Sequence, residues 1–261
     1  MKILFKLGGT LLDTPASRGR LAGEIAAAAR DHEIVVVHGG GKQMTRFLAE
    51  RGVESKFVNG LRVTTDEVLD AVLKVLAGSV NQELVAALIA AGASAVGLSG
   101  VDALLAEAEQ MSPELGHVGR TVRSDARLLT VLVSNGYVPV IACVAGDRQG
   151  RIYNVNADQM AVACAVSFQA DKLLFLTDVA GVRGAAGEIR PSLTADECAA
   201  LISDGVATGG MQAKLNAAVD ALQRGVVEAI IAPGAETDIV QKLIAGEPVG
   251  TRLLAVKAMR R

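Results

Sequence analysis

The chain has no tryptophan, and aromatic residues make up only 3% of its 261 positions. Proteins that grip single-stranded nucleic acid stack bases on aromatic rings, so no such platform is expected here. A charge excess is missing as well: the formal net charge is -2, which gives no bulk attraction to a nucleic acid. Cysteine is scarce, and Cys143, Cys164 and Cys198 are far apart and odd in number. No disulfide framework or metal spacing can be read from them. Each sits in an apolar or helical setting, so buried free thiols and a reducing cytoplasm are expected. Long hydrophobic runs are absent too. The opening MKILFKLGG is too short for a signal segment, and no apolar run approaches the roughly 20 residues that span a bilayer. No nucleic-acid partner and no membrane partner are expected.

What is present is 51% hydrophobic and 21% charged residue, enough for one large α/β domain or two lobes sharing a sheet. KILFKL and EIVVV are apolar runs rich in branched residues, each closed by glycine, which predicts two buried strands. The alanine-rich SRGRLAGEIAAAARDH between them predicts a helix and completes a βαβ unit of a parallel sheet. KQMTRFLAERG predicts a helix stopped at Gly52. Residues 56–64, KFVNGLRVT, alternate around Asn59-Gly60, a hairpin signal. Residues 65–91 read as helical with a break near Gly78, and ASAVGLSG as a strand. Residues 103–123 read as a small hairpin region, ARLLTVLVSNG as a helix, and YVPVIACVAG as one strand interrupted in character by Pro139. In the second half, ADQMAVACAVSFQA, TADECAALISDG, GGMQAKLNAAVDALQRG and TDIVQKLIAG predict helices. DKLLFLTDVAG, VVEAIIAPG and GTRLLA predict strands among them. No Pro- or Ser-rich linker separates the halves.

Open α/β sheets bind ligands at the carboxyl ends of their strands. Gly8-Gly9 and Gly39-Gly40-Gly41 fall there, where glycine lets backbone N–H groups form an anion nest and a following helix adds its positive end. Either run alone reads equally well as a plain turn. Lys6, inside the first apolar strand, is costly unless it meets an anion or snorkels from an edge. Asp158, in NVNADQ, suits a helix first turn as a cap or as a counter-ion, and Asn156 is an alternative cap. Lys214 follows two glycines in the first turns of a helix, where the dipole opposes a cation, so another role is expected for it. His32 reads as exposed, His38 as orienting the glycine loop, and Lys42 as helix surface.

KLGG, HGGG, NGLRVT, ELGHVG, NVNADQ, LTDVAG and GGMQAK occur in this order from Lys2 to about Ala255. Together they resemble the amino acid kinase family and, within it, the N-acetylglutamate kinases. The resemblance implies a three-layer αβα sandwich around a mostly parallel sheet, as a single domain over residues 1–261. An N-lobe of about 1–150 would hold the acyl amino acid and the dimer contact, and a C-lobe of about 151–261 would hold ATP. The implied reaction moves the γ-phosphoryl of ATP, with Mg2+ on its phosphates, to the side-chain carboxylate of N-acetyl-L-glutamate, in arginine biosynthesis. Lys6 and Lys214 would then flank the transferred group and Asp158 would hold both. Gly8, Gly9, Gly40 and Gly41 would line the phosphate and substrate path, and Arg62 and Asn154 would bind the substrate's carboxylate end. Asp178, Val179, Ala180, Gly181, Val182 and Arg183, with Val206, Ala207 and Thr208, would meet the nucleotide's base and ribose. His117, in ELGHVG, has no evident chemistry.

The inventory agrees with that reaction. A carboxylate nucleophile is already ionised at neutral pH and needs no base, so positioning and charge neutralisation remain. Rival readings are a kinase for N-acetyl-aminoadipate, N-succinylglutamate or a carrier-bound amino acid, and a non-catalytic sensor. Arginine-inhibited relatives carry an extra N-terminal helix. With the first strand starting at Lys2, a homodimer insensitive to arginine is expected.

Overall fold

The computed structural model describes residues 1–254. Ala255, assigned above to the last strand, and Met259-Arg260-Arg261, to which no role was given, lie outside the described residues. In chain order the strands are β1 (Lys2–Leu7), β2 (Glu33–His38), β3 (Phe57–Val58), β4 (Leu61–Arg62), β5 (Ser94–Ser99), β6 (Ala106–Gln110) and β7 (Val118–Ser124). There follow β8 (Tyr137–Ala142), β9 (Val144–Gly146), β10 (Ile152–Val155), β11 (Lys172–Thr177), β12 (Ser192–Leu193), β13 (Glu228–Pro233) and β14 (Thr251–Leu254). The helices are α1 (Pro15–Ala28), α2 (Gly41–Ala49), α3 (Asp66–Val72), α4 (Asn81–Ala90), α5 (Arg127–Ser134), α6 (Ala157–Phe168), α7 (Ala195–Ser203), α8 (Gly209–Gln223) and α9 (Ile239–Ala245).

Eight strands form one sheet in the order β12-β14-β13-β11-β1-β2-β8-β5. Each adjacent pair is parallel except β13 with β14. After its first residue each of β1, β2 and β11 is buried without interruption, so both faces of the sheet are covered, as a parallel sheet flanked by helices requires. The expected αβα sandwich is therefore the observed one. β6, β7, β9 and β10 close into a small four-stranded sheet beside it. The hairpin expected within 103–123 is its β6–β7 pair.

Three expectations need correction. YVPVIACVAG is two strands, β8 in the large sheet and β9 in the small one, parted at Cys143. Pro139 is accommodated because β8 begins to pair with β2 only at Val140. The helix over 65–91 does not break at Gly78. It widens into a π turn over Leu73–Val80 and runs unbroken from Asp66 to Ala90. That 25-residue helix is long and apolar enough to cross a membrane by length and composition alone, a feature hidden by its scattered charges. Its buried residues, among them Val72, Leu76 and Leu84, belong to the core.

The register aligns Leu7 with His38 and Leu176, and His38 with Ala142. The carboxyl ends of four neighbouring strands thus form one rim. Over it hangs the β3–β4 hairpin, turned at Asn59 (φ 49°) and Gly60 (φ 79°), the paired positive angles of a two-residue type I′ turn.

Candidate active site

Lys6 stands on the central strand β1 and is only 6% exposed. A buried ammonium needs a counter-charge. It finds Asp158, whose Oδ1 is 2.8 Å from Lys6 Nζ. Lys214, reaching in from α8, places its Nζ 3.4 Å from Asp158 Oδ2. Two cations from opposite halves of the chain therefore share one carboxylate. Asp158 is free for this because Asn156 caps α6, its side chain accepting from the N–H groups of Asp158 and Gln159. Burial alone would push the Asp158 carboxyl up, but Lys6 and Lys214 outweigh it and hold it below the ordinary value.

The trio opens on a cavity of about 280 Å³ lined also by Gly8, Gly39, Gly40, Gly41, Asn156, Ala157, Gly209 and Gly210. The N-terminal ends of α2, α6 and α8 all meet there. Among the described residues, the N–H groups of Gly40, Gly41, Gly209 and Gly210 have no protein acceptor. Unpaired helix N-terminal donors beside two amines make a site for a multiply charged anion. Gly8 behaves differently from the expectation. Its N–H donates to the Leu176 carbonyl at 3.2 Å, continuing the β1–β11 ladder, so it is not spare for a phosphate. What Gly8 supplies is space, since a Cβ there would lie 2.6 Å from Lys6 Nζ. Gly40 likewise gives room, with Leu76 Cδ2 2.5 Å from where its Cβ would be.

An adjoining cavity of about 180 Å³ shares Gly39, Gly40, Gly41, Gly60, Leu61, Asn156 and Ala157 with the first and adds Arg62 and Asn154. Its remaining walls include Met44, Leu76, Val118 and Cys143. The Arg62 guanidinium donates to the Thr45 hydroxyl at 2.8 Å, to the Gly41 carbonyl at 3.2 Å and to Ser55, and lies over the Phe57 ring. Burial lowers its pKa from the usual arginine value. Cys143 is a wall and not a nucleophile, since burial pushes its thiol up to about 11. All three cysteines are buried and free.

His38 is fully buried beneath this rim, and burial lowers its pKa to about 4. Asn81 Nδ2 donates to His38 Nε2 at 3.0 Å and to the Val140 carbonyl at 2.9 Å, so Nε2 is the acceptor. The proton is on Nδ1, 2.9 Å from the Gly39 carbonyl oxygen. The imidazole therefore orients the glycine loop. His32 is half-buried, not exposed, and Lys42 is on the surface. His117 pairs with Asp66 at 2.6 Å.

Lys6, Asp158, Lys214, Gly8, Gly40 and Gly41 are thus gathered at one cavity, and Arg62 and Asn154 at its neighbour. Residues 178–183 and 206–208 line neither. Val182 N–H donates to the Thr251 hydroxyl, Ala207 is buried, and Thr208 precedes α8 as its N-cap. Sequence reasoning missed Gly209 and Gly210 as wall residues, although the glycine pair ahead of Lys214 repeats the signal of the two earlier glycine runs. It also missed Asn81, which no local pattern announces. Among the described residues no group of three or more His, Cys, Asp or Glu side chains is placed to hold a metal ion.

Known proteins resemble this chain in sequence and in fold. The chain is 64% identical to the acetylglutamate kinase of Solibacter usitatus over 97% of its own length and 99% of that protein's. It is 44% identical to the acetylglutamate kinase of Acidobacterium capsulatum over 98% and 100%. A solved N-acetylglutamate synthase from Neisseria gonorrhoeae, complexed with coenzyme A and N-acetyl-glutamate, superposes with a TM-score of 0.86 at 25% identity. The match takes in 97% of this chain and 59% of that one. The model of the amino acid kinase family matches residues 1–233, which takes in both cavities and all three residues of the charged trio. On fold, site and sequence together, the chain belongs to the amino acid kinase family.

Proposed function

We propose that the chain is an acetylglutamate kinase. It transfers the γ-phosphoryl group of ATP to the side-chain carboxylate of N-acetyl-L-glutamate, giving N-acetyl-L-glutamyl 5-phosphate and ADP, a step of arginine biosynthesis. The observation that carries this reading is the pair of adjoining cavities, one lined by amines and free N–H groups, the other by Arg62 and Asn154. A dicarboxylate bridging them has one carboxylate at the arginine and the other beside the lysines.

The acceptor carboxylate has an ordinary pKa of about 4.3 and arrives ionised. One of its oxygens forms the new bond to phosphorus, the bond from phosphorus to the ADP oxygen breaks, and no proton moves. The chain's task is to bring two anions together. Lys6 and Lys214 carry two positive charges against the single negative charge of Asp158, which leaves a net +1 facing the phosphates. The free N–H groups of Gly40, Gly41, Gly209 and Gly210 add partial charge without any reorganisation. Magnesium bound with the nucleotide would supply further neutralisation.

In this reading residues 1 to about 150 form the lobe that holds the acyl amino acid, and the described residues from about 151 onward the lobe that holds ATP. Gly9 lies on the phosphate path. Asp178–Arg183 and Val206–Thr208 approach the base and ribose beyond the phosphate cavity. A homodimer is supported by β5, the edge strand of the large sheet, which is half-exposed along most of its length beside the exposed Ile89. Three buried free thiols suit the cytoplasm. The test is purified protein with ATP, Mg2+ and N-acetyl-L-glutamate, with the acyl phosphate trapped as a hydroxamate by hydroxylamine. Hydroxamate and ADP in equal amounts are expected. ATP turnover without hydroxamate, or none, overturns the reading.

A further inference from the structure

NGLRVT and ELGHVG lie far apart in sequence, yet they interlock at one residue, Thr64. Its backbone pairs in parallel with Gly116. Thr64 N–H donates to the Leu115 carbonyl at 3.0 Å, and His117 N–H donates to the Thr64 carbonyl at 2.7 Å. Gly116 has φ +64°, and a Cβ there would collide with the Thr64 carbonyl oxygen, so only glycine serves. The loop is held in turn to β10, where Asn154 N–H donates to the His117 carbonyl at 2.9 Å.

The Thr64 side chain closes the same circuit. The residue is 0% exposed. Its hydroxyl has one proton, donated to the Arg62 carbonyl at 2.9 Å. What remains is acceptor capacity, and Asn154 Nδ2 donates to it at 3.0 Å. The nitrogen end of the Asn154 amide is therefore fixed at Thr64. Its second Nδ2 proton and its Oδ1 have no protein partner among the described residues. A single buried hydroxyl thus ties the backbone of Arg62 to the side chain of Asn154, the two polar groups assigned to the acyl amino acid.

We propose that Thr64 is a positioning residue that sets the spacing of Arg62 and Asn154, and so governs affinity for the acyl amino acid and not for ATP. This rests on the acetylglutamate kinase reading. Thr64 lines neither cavity, so it acts through the other two. Thr64→Val keeps the branched shape and removes the hydroxyl. Losing the oriented bond at Asn154 raises the KM for N-acetyl-L-glutamate about tenfold or more. The KM for ATP and kcat stay within about twofold, because Lys6, Asp158 and Lys214 stand on β1, α6 and α8 and the Thr64 hydroxyl bonds to none of them. Thr64→Ser, which restores the hydroxyl, returns the acyl KM to within about threefold of the original.

The readout that separates positioning from bulk stability is a double-mutant cycle. Thr64→Val combined with Asn154→Ala raises the acyl KM by clearly less than the product of the two single effects, because the hydroxyl's bond to Asn154 is lost only once. If Thr64→Val does not fold, Thr64→Ala carries the same expectations, with folding checked by thermal unfolding with and without ADP. An unchanged acyl KM, equal changes in both KM values, failure of serine to restore, or additive mutant effects each overturn the proposal. An original enzyme inactive on N-acetyl-L-glutamate overturns the function itself. An active one with an indifferent Thr64 overturns only this inference.

Discussion

Replacing Asp158 with asparagine removes one charge and almost no volume, from a carboxylate only 5% exposed between two amines. At an effective dielectric constant of about 20, the gross attraction is about 6 kcal/mol to Lys6 at 2.8 Å and about 5 kcal/mol to Lys214 at 3.4 Å. Desolvation offsets most of this, and deleting one partner of a buried pair costs roughly 3–5 kcal/mol. For a chain of this length the melting temperature should fall by roughly 6–12 °C. The amines, now repelling each other unscreened, move apart. A displacement of about 1 Å at reacting groups is worth about 100-fold in rate, so kcat should fall about 100-fold or more. Nucleotide affinity moves the other way, because the net charge of the trio rises from +1 to +2. ADP should bind as tightly as before or more tightly. The hydroxamate assay gives kcat, and ADP titration by calorimetry gives the affinity. A kcat within about threefold of the original, or ADP affinity lost in step with kcat, would refute the role given to Asp158. There is also a pH signature. The Asp158 pKa is lower in the folded chain than unfolded, so its contribution is complete above the ordinary value of about 3.9 and is lost as pH falls through the folded value. The asparagine variant lacks that acid-side loss.

His38 gives a second acid-side effect, at higher pH. Its pKa is near 4 in the fold against 6.5 unfolded, so stability is complete above 6.5 and declines as pH drops toward 4, by about 3 kcal/mol in all. Urea unfolding from pH 7 to pH 4 should show this slope, and His38→Asn, which can still donate to the Gly39 carbonyl, should flatten it. Parallel curves would refute it. Gly8→Ala strains no backbone at φ -138°, but its methyl displaces the Lys6 amine. It should cut kcat at least about tenfold while shifting the melting temperature only slightly, and unchanged kcat would count against the placement of Lys6.

The strands at the centre of the sheet could be read from the chain because a strand buried on both faces is an unbroken apolar run, as in KILFKL and KLLFLT. The helix in TADECAALISDG was readable from its composition, and it starts where Thr194 and Glu197 cap one another. The small closed sheet was not, since AEAEQ of β6 is polar and local, and its closure depends on β9 and β10. The π turn was hidden for a related reason. Gly78 looks like a breaker by propensity, but packing of Leu76 and Val80 carries the helix through. At the site, Lys6 stood out because an ammonium in an apolar strand demands a partner. Asp158 as its partner came from the family resemblance alone, and the choice between Asn156 and Asp158 as the cap of α6 stayed open until the structure gave it to Asn156. The Asn81–His38 contact and the use of Gly8 N–H in the ladder are long-range facts with no local sequence signal.

The central claim is that Lys6 and Lys214, held by one carboxylate, close on the phosphoryl group in flight. A crystal structure with ADP, Mg2+, N-acetyl-L-glutamate and aluminium fluoride as the phosphoryl mimic tests it most directly. The account predicts both Nζ atoms within about 3 Å of the fluorides while each keeps its contact with Asp158. Either amine left at Asp158 and out of reach of the mimic would contradict it.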